Sequence, residues 1–259
     1  MRPHDHEFLS AQQAATDQLL HAIHHDRLAH GLLFVGPQGA GKSTLGLYLA
    51  QKLLCPQGRE SPNLGGCGHC GVCHRVAQKS HPDLNWVLSE KRREAENEGR
   101  DTSSKKASDL TIADIRSLCQ SLLLPPHEGR AKVAVIIDAH RMTPQAANAL
   151  LKTLEEPPPH LKFIFATTEV KKIPVTIISR CQRFDLHRVP IKDLLTNLEK
   201  ILNIENGKIS KAALILIAKA AEGSVRDSLS LLDRALVSHN IEEKEIDENF
   251  VRKMLGIAD

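Results

Sequence analysis

The stretch Leu32-Leu33-Phe34-Val35-Gly36-Pro37-Gln38-Gly39-Ala40-Gly41-Lys42-Ser43-Thr44 decides the fold class. Its four apolar residues read as a buried strand, and Gly36-x-x-x-x-Gly41-Lys42-Ser43 behind them has the spacing of a phosphate-binding loop. Gly36, Gly39 and Gly41 let the backbone curl until its N–H groups point inward at phosphate oxygens. Lys42 then reaches the β- and γ-phosphates and Ser43 a magnesium ion. The run from Thr44 to Leu54 reads as the helix whose N-terminus attracts anions, so Thr44 joins the cofactor-binding set. ATP or GTP with Mg2+ is the expected ligand.

A second nucleotide signal lies downstream. Lys132-Val133-Ala134-Val135-Ile136-Ile137-Asp138 is a continuous apolar run closed by an acid, as a buried parallel strand reads. An Asp at the carboxyl end of such a strand lies beside the phosphate loop and can hold the water shell of magnesium. Many hydrolysing P-loop proteins carry next a glutamate that orients or deprotonates the attacking water, work worth about 10²–10⁴-fold in rate. Here the next residue is Ala139. Nucleotide binding is therefore better supported than turnover. His140 and Arg141 read as an exposed turn.

Four of the six cysteines crowd behind the loop helix: Cys55, Cys67, Cys70 and Cys73. Two-residue separations let neighbouring thiolates converge on one tetrahedral ion, and Gly65, Gly66, Gly68 and Gly71 supply the turns between them. A structural four-cysteine Zn2+ site is the expectation. An iron–sulfur cluster, or His69 or His74 in place of Cys55, are the alternatives. Cys119 and Cys181 stand apart and read as ordinary buried or half-buried residues.

The chain has 259 residues, 41% hydrophobic and 25% charged, with a formal charge of +3. No apolar run approaches the roughly 18 residues of a membrane span, so no membrane partner and no secretory signal are expected. Near-neutral charge with 3% aromatics offers little for stacking on or neutralising nucleic acid, so a zinc-ribbon nucleic-acid binder is a remote alternative. The basic run Lys91-Arg92-Arg93 reads as a solvated loop.

Three further strands are expected at Leu84 to Leu88, Lys162 to Thr168 and Arg183 to Leu186. Between the runs ending at Asp138 and starting at Lys162, Thr143-Pro144 opens a helix whose apolar face is Ala147, Leu150, Leu151 and Leu154. The fold class is α/β: a nucleotide-binding domain with a five-stranded parallel sheet over residues 1–189, the zinc module inserted at about 55–73. After Val189-Pro190 the strand signals stop. Four helical segments, Lys192 to Asn203, Ser210 to Ala221, Val225 to His239 and Asp247 to Leu255, make residues 190–259 a small all-helical domain.

Several longer motifs carry a specific resemblance. Asn148-Ala-Leu-Leu-Lys-Thr-Leu-Glu-Glu-Pro-Pro158, Phe165-Ala-Thr-Thr168, Pro174-Val-Thr-Ile-Ile-Ser-Arg-Cys181 and Ala221-Glu-Gly-Ser-Val-Arg-Asp227 resemble the AAA+ clamp-loader ATPases of bacterial DNA polymerase III. The likeness covers essentially the whole chain. It implies an ATP-binding subunit in the bacterial cytoplasm that joins other clamp-loader subunits in a hetero-pentameric ring and places the sliding clamp on primed DNA. By position, Asp138 is the Walker B acid, Thr168 sensor 1, Arg226 sensor 2 and Arg180 an arginine finger for the neighbouring subunit. Such a finger makes hydrolysis depend on assembly.

Two members of that family are matched by different parts of the chain. The intact loop, Val175 to Cys181 and Gly223 to Arg226 resemble the gamma/tau motor. His81-Pro82-Asp83-Leu84, the charged insertion Glu90 to Lys106, Ala139 and Gln145-Ala-Ala-Asn148 resemble the delta-prime stator, a non-hydrolysing structural subunit. The family's C-terminal helical collar is not expected within this sequence. Phe8-Leu9 and the following helix, up to His30, are expected to line the adenine pocket, as the resemblance implies.

Overall fold

The computed structural model describes residues 12–88, 109–205, 207–239 and 246–256. Phe8-Leu9, the basic run at 91–93 and the insertion at 90–106 lie outside them. Two compact units form. The first takes in Gln13–Gly36 and Lys42–Leu186; the second takes in Gln12, Pro37–Gly41 and the chain from His187 onward.

The first unit is built on a parallel sheet of five strands: β1 (Gly31–Val35), β2 (Leu84–Val87), β3 (Lys132–Ile137), β4 (Leu161–Thr167) and β5 (Cys181–Asp185), in the order β2-β3-β4-β1-β5. β1, β3 and β4 are central and covered on both faces, which is why their sequences are continuous apolar runs without alternation. β5, at an edge, alternates instead: Phe184 is buried between exposed Arg183 and Asp185. The register pairs Val35 with Thr167 and Ile137 with Ala166, so β1, β4 and β3 end side by side on one edge.

The helices of this unit among the described residues are α1 (Gln13–His24), α2 (Lys42–Leu54), α3 (Gly71–Ala77), α4 (Ile112–Leu123), α5 (Pro144–Glu155) and α6 (Val175–Ile178). α4 starts on a capping box, Thr111 with Asp114. α5 starts as its Thr-Pro sequence predicts, with Thr143 Oγ1 accepting the Ala146 N–H at 3.2 Å. These two helices bury Ile115, Leu118, Leu122, Leu150 and Leu154 with Leu33, Ile136, Phe163 and Phe165 of the sheet.

The second unit contains α7 (Ile191–Glu205), α8 (Lys211–Ala220), α9 (Val225–His239) and α10 (Glu248–Leu255). Leu194, Leu198, Leu214, Ile217, Leu232 and Val251 meet in its core. An isolated parallel bridge, Ile209 to Ile246, ties the segment before α8 to the one before α10.

Candidate functional site

β1 delivers the chain to Gly36, whose N–H donates to the Thr167 carbonyl at 3.2 Å. A Cβ on Gly36 would stand 2.5 Å from the Leu186 carbonyl oxygen, so only glycine lets the backbone turn here. Gly39 and Gly41 have φ of +76° and +91°, left-handed values that side chains rarely adopt. Within the second unit, Ser224 packs directly on Gly39, and Val225 N–H donates to the Gly39 carbonyl at 3.3 Å. α2 begins at Lys42, whose buried ammonium donates to the Gly36 carbonyl at 2.9 Å. Its charge is thereby held over the loop. Ser43 and Thr44 occupy the first turn of α2.

Asp138 sits at the carboxyl end of β3, on the same sheet edge as the end of β1, in a left-handed conformation (φ 52°, ψ 47°) that starts a 3₁₀ turn, Ala139–Arg141. A non-glycine residue in this region is sparsely populated and costly, and such strain concentrates at functional positions. Ala139 is buried. No carboxylate follows Asp138, so the turn offers no glutamate to act as a base.

The turn corrects one expectation. His140 is not an exposed turn residue; its side chain is only 7% exposed. The left-handed step at Asp138 swings the ring against β4, where Nδ1 hydrogen-bonds Thr167 Oγ1 at 3.1 Å, while Nε2 lies 3.5 Å from Glu169 Oε1. Burial pushes the imidazole below its usual range, against the pull of the Asp138 and Glu169 carboxylates. Thr167 is fully buried and also accepts the Glu169 N–H at 3.0 Å. Thr168, the next residue, is exposed just beyond β4. The role of Thr167 in joining the β3 turn, β4 and the loop had no signal in the sequence beyond its place in Thr167-Thr168.

Arg180 follows α6 at the start of β5 and is partly exposed. Cys181 is the first residue of β5, where burial raises its thiol to about 12. Arg226 lies in the first turn of α9, one residue after Val225; that helix is capped by Ser224, whose Oγ accepts the Asp227 N–H at 3.2 Å.

The four cysteines of the module do converge. All four sulfurs lie within 4.8 Å of one another, with Cys55 to Cys70 and Cys67 to Cys73 each 3.9 Å. Four thiolates at about 2.3 Å from a tetrahedral zinc would stand about 3.8 Å apart, so this donor set fits the ion. Neither His69 nor His74 is in the cluster; His69 Nδ1 is bonded to the Cys67 carbonyl oxygen at 2.8 Å. Gly66, at φ +64°, passes so close that a Cβ would meet Cys55, Gln51 and Cys73 at 2.9–3.1 Å. The Gln51 amide donates to the Cys73 carbonyl at 3.0 Å and fixes the module to α2. Burial drives the Cys55 and Cys73 thiols upward. At Cys67 burial also opposes the thiolate, but N–H groups of His69 and Cys70 and neighbouring thiols outweigh it and bring the group down to about 6. Thiols this close do not all ionise without a cation among them.

Parallel strand order, a phosphate loop after β1, an acid after β3 and a helical unit later in the chain define an AAA+ P-loop fold. The solved Holliday junction branch migration motor RuvB of Thermotoga maritima shares it, with a TM-score of 0.61 at 17% identity over 98% of this chain and 69% of that one. The family described as DNA polymerase III, delta subunit, matches residues 11–190, and the DNA polymerase III clamp loader subunit ATPase lid domain matches residues 194–240. The chain belongs to this DNA polymerase III clamp-loader family. It is 35% identical over 258 residues to DNA polymerase III subunit tau of Escherichia coli (strain K12), and 36% identical over 235 residues to subunit tau of Bacillus subtilis (strain 168). These matches cover 100% and 91% of this chain but 36% and 38% of the relatives, so the chain spans about a third of their length.

No helix among the described residues is long and apolar enough to cross a membrane.

Proposed function

We propose that this chain is an ATP-binding subunit of a DNA polymerase III clamp loader, which assembles with other clamp-loader subunits and acts in loading the sliding clamp onto primed DNA. The observation that carries the nucleotide part is the loop itself. Left-handed Gly39 and Gly41 turn the backbone, and Lys42 places its ammonium over Gly36. Gly36, Gly39, Gly41, Lys42, Ser43 and Thr44 would cradle the phosphates, with Mg2+ held by Ser43 and, through water, by Asp138. Thr168 would act as sensor 1 and Arg226 as sensor 2. Cys55, Cys67, Cys70 and Cys73 would hold one structural Zn2+, which stiffens the segment between α2 and β2 and takes no part in the chemistry.

Buried Ala139 favours a second form of the same reading. The chain would bind ATP without hydrolysing it and serve as a stator whose Arg180 completes the site of a neighbouring subunit. Nucleotide binding and ATPase assays on the purified chain, alone and with its partner subunits, clamp and primed DNA, separate the two. Failure to bind ATP would remove the proposal's nucleotide part. Turnover at this chain's own site, abolished by Lys42→Ala, would sink the stator form.

A further inference from the structure

The sheet edge opposite the phosphate loop holds a cavity of about 720 Å3 that the reading above does not use. That volume is in the range of small-molecule sites. His30, Ala131 and His160, which immediately precede β1, β3 and β4, line it together with the end of α2. Ile23, Leu28, Leu53 and Val72 give it an apolar wall.

Among the charged residues of the lining, cations outnumber acids. Lys52, Arg59, Arg130 and Lys162 face two acids, Asp26 and Glu128. Both acids are engaged by arginines, Asp26 by Arg59 at 2.8 Å and Glu128 by Arg75. The two lysines instead donate to neutral carbonyls, Lys162 to Leu28 at 2.8 Å and Lys52 to Ser61. Lys52 is 2% exposed, an ammonium kept inside the protein.

His81 is the sharpest observation. It is 2% exposed, and its Nδ1 accepts the Asp83 N–H at 3.1 Å, which leaves the ring proton on Nε2. That Nε2–H has no hydrogen-bond partner among the described residues; Glu128 Oε2 stands 3.8 Å away. Nε2 of His160 is likewise buried and unbonded. Buried polar groups without partners are rare in folded proteins, and the His81 Nε2–H is a donor that lacks its acceptor.

We propose that this cavity binds a phosphate-bearing small molecule of nucleotide size, its phosphates taken by His81, Lys162 and Arg130 and its ring laid on the apolar wall. The site is separate from the phosphate loop and does not depend on what that loop binds.

The test uses the full chain carrying Lys42→Ala, so that the phosphate loop is silent. Equilibrium dialysis with ATP, and separately with inorganic triphosphate, is expected to show one saturable site, with ATP the tighter ligand. Lys162→Met keeps the aliphatic stem and Arg130→Gln changes an exposed residue, so zinc content and circular dichroism should stay unchanged. Each is expected to weaken ATP binding at least tenfold in the Lys42→Ala background. Absence of saturable binding by both probes would overturn the proposal, as would unchanged affinity in both variants. Equal affinity for ATP and triphosphate would overturn the nucleotide assignment.

Discussion

Arg180 and Glu155 are joined side chain to side chain, Nη2 lying 2.6 Å from Oε1, while Arg180 Nη1 donates to the Thr176 carbonyl at 2.8 Å. The pair links Arg180, between α6 and β5, to Glu155, the last residue of α5. Both side chains are substantially exposed, so the pair contributes at most about 1 kcal/mol, and Arg180 is aimed without being locked. If Arg180 serves a neighbouring subunit, Arg180→Ala will lower that subunit's ATPase on the order of 10³-fold. The melting temperature of this chain will move little. An unchanged rate in the assembled complex refutes the finger role, and Glu155→Ala, which removes only the carboxylate partner and leaves the bond to Thr176, is expected to act far more weakly.

The two left-handed loop glycines should respond differently to alanine. A Cβ on Gly39 would fall 1.8 Å from Ser224 Oγ, whereas one on Gly41 meets nothing within 4 Å. Gly41→Ala therefore pays chiefly the left-handed conformation, about 1–2 kcal/mol. Gly39→Ala adds a clash with Ser224 and should be the less stable of the two in urea unfolding. Both should lose nucleotide binding. Equal stabilities would show that the loop relaxes around the new methyl group.

For the cysteine module, one zinc per chain is expected by metal analysis, lost in Cys70→Ser and in Cys73→Ser. Because Cys73 is 1% exposed and Cys70 is not buried, the serine at 73 also buries a hydroxyl and should destabilise more. Removal of the metal by a chelator should lower the melting temperature of the wild type and leave that of Cys70→Ser unchanged. A wild type without stoichiometric zinc would refute the site.

Asp83 is fully buried and accepts the N–H groups of His127, Glu128 and Gly129 at 2.6, 2.9 and 3.1 Å. Burial alone would raise its carboxyl, but these three donors outweigh burial and hold it below the usual aspartate value of 3.8. Asp83→Ala leaves three donors without their acceptor and should cost about 3 kcal/mol or more. A loss under 1 kcal/mol in denaturant titration would mean that water replaces the carboxylate.

Acid sensitivity follows from the same corner. Burial holds His81 below the usual histidine value of 6.5, against the upward pull of Asp83 and Glu128, with Arg75 lowering it further. The unfolded chain then binds more protons than the folded one, so this contribution to stability is complete above pH 6.5 and falls as the pH drops below it. The Asp83 contribution is present above its unfolded value of 3.8 and lost as the pH falls through its depressed folded value. Melting temperature should decline from pH 7 to pH 5 and again below pH 4. A flat profile between pH 7 and 5 would contradict the burial of a neutral His81.

Much of this was legible in the sequence because it rests on short-range rules. Continuous apolar runs at Leu32 to Val35, Val133 to Ile137 and Phe163 to Ala166 read as strands covered on both faces, and the glycine spacing from Gly36 to Gly41 announces a tight turn with left-handed residues. Cys-x-x-Cys-x-x-Cys likewise announces its own convergence. What the sequence left open required partners distant along the chain. That Cys55 rather than His69 or His74 is the fourth member of the cluster depends on where α2 ends against the Gly66 turn. His140 could be placed only once β3 and β4 were paired and Asp138 had taken its left-handed turn, because 27 residues separate the ring from Thr167. The unbonded Nε2 of His81 lies deeper still, since an orphan donor is defined by everything packed around it. Periodicity and motif spacing set the elements and the loop; long-range packing alone decided which polar groups met partners and which were left facing a cavity.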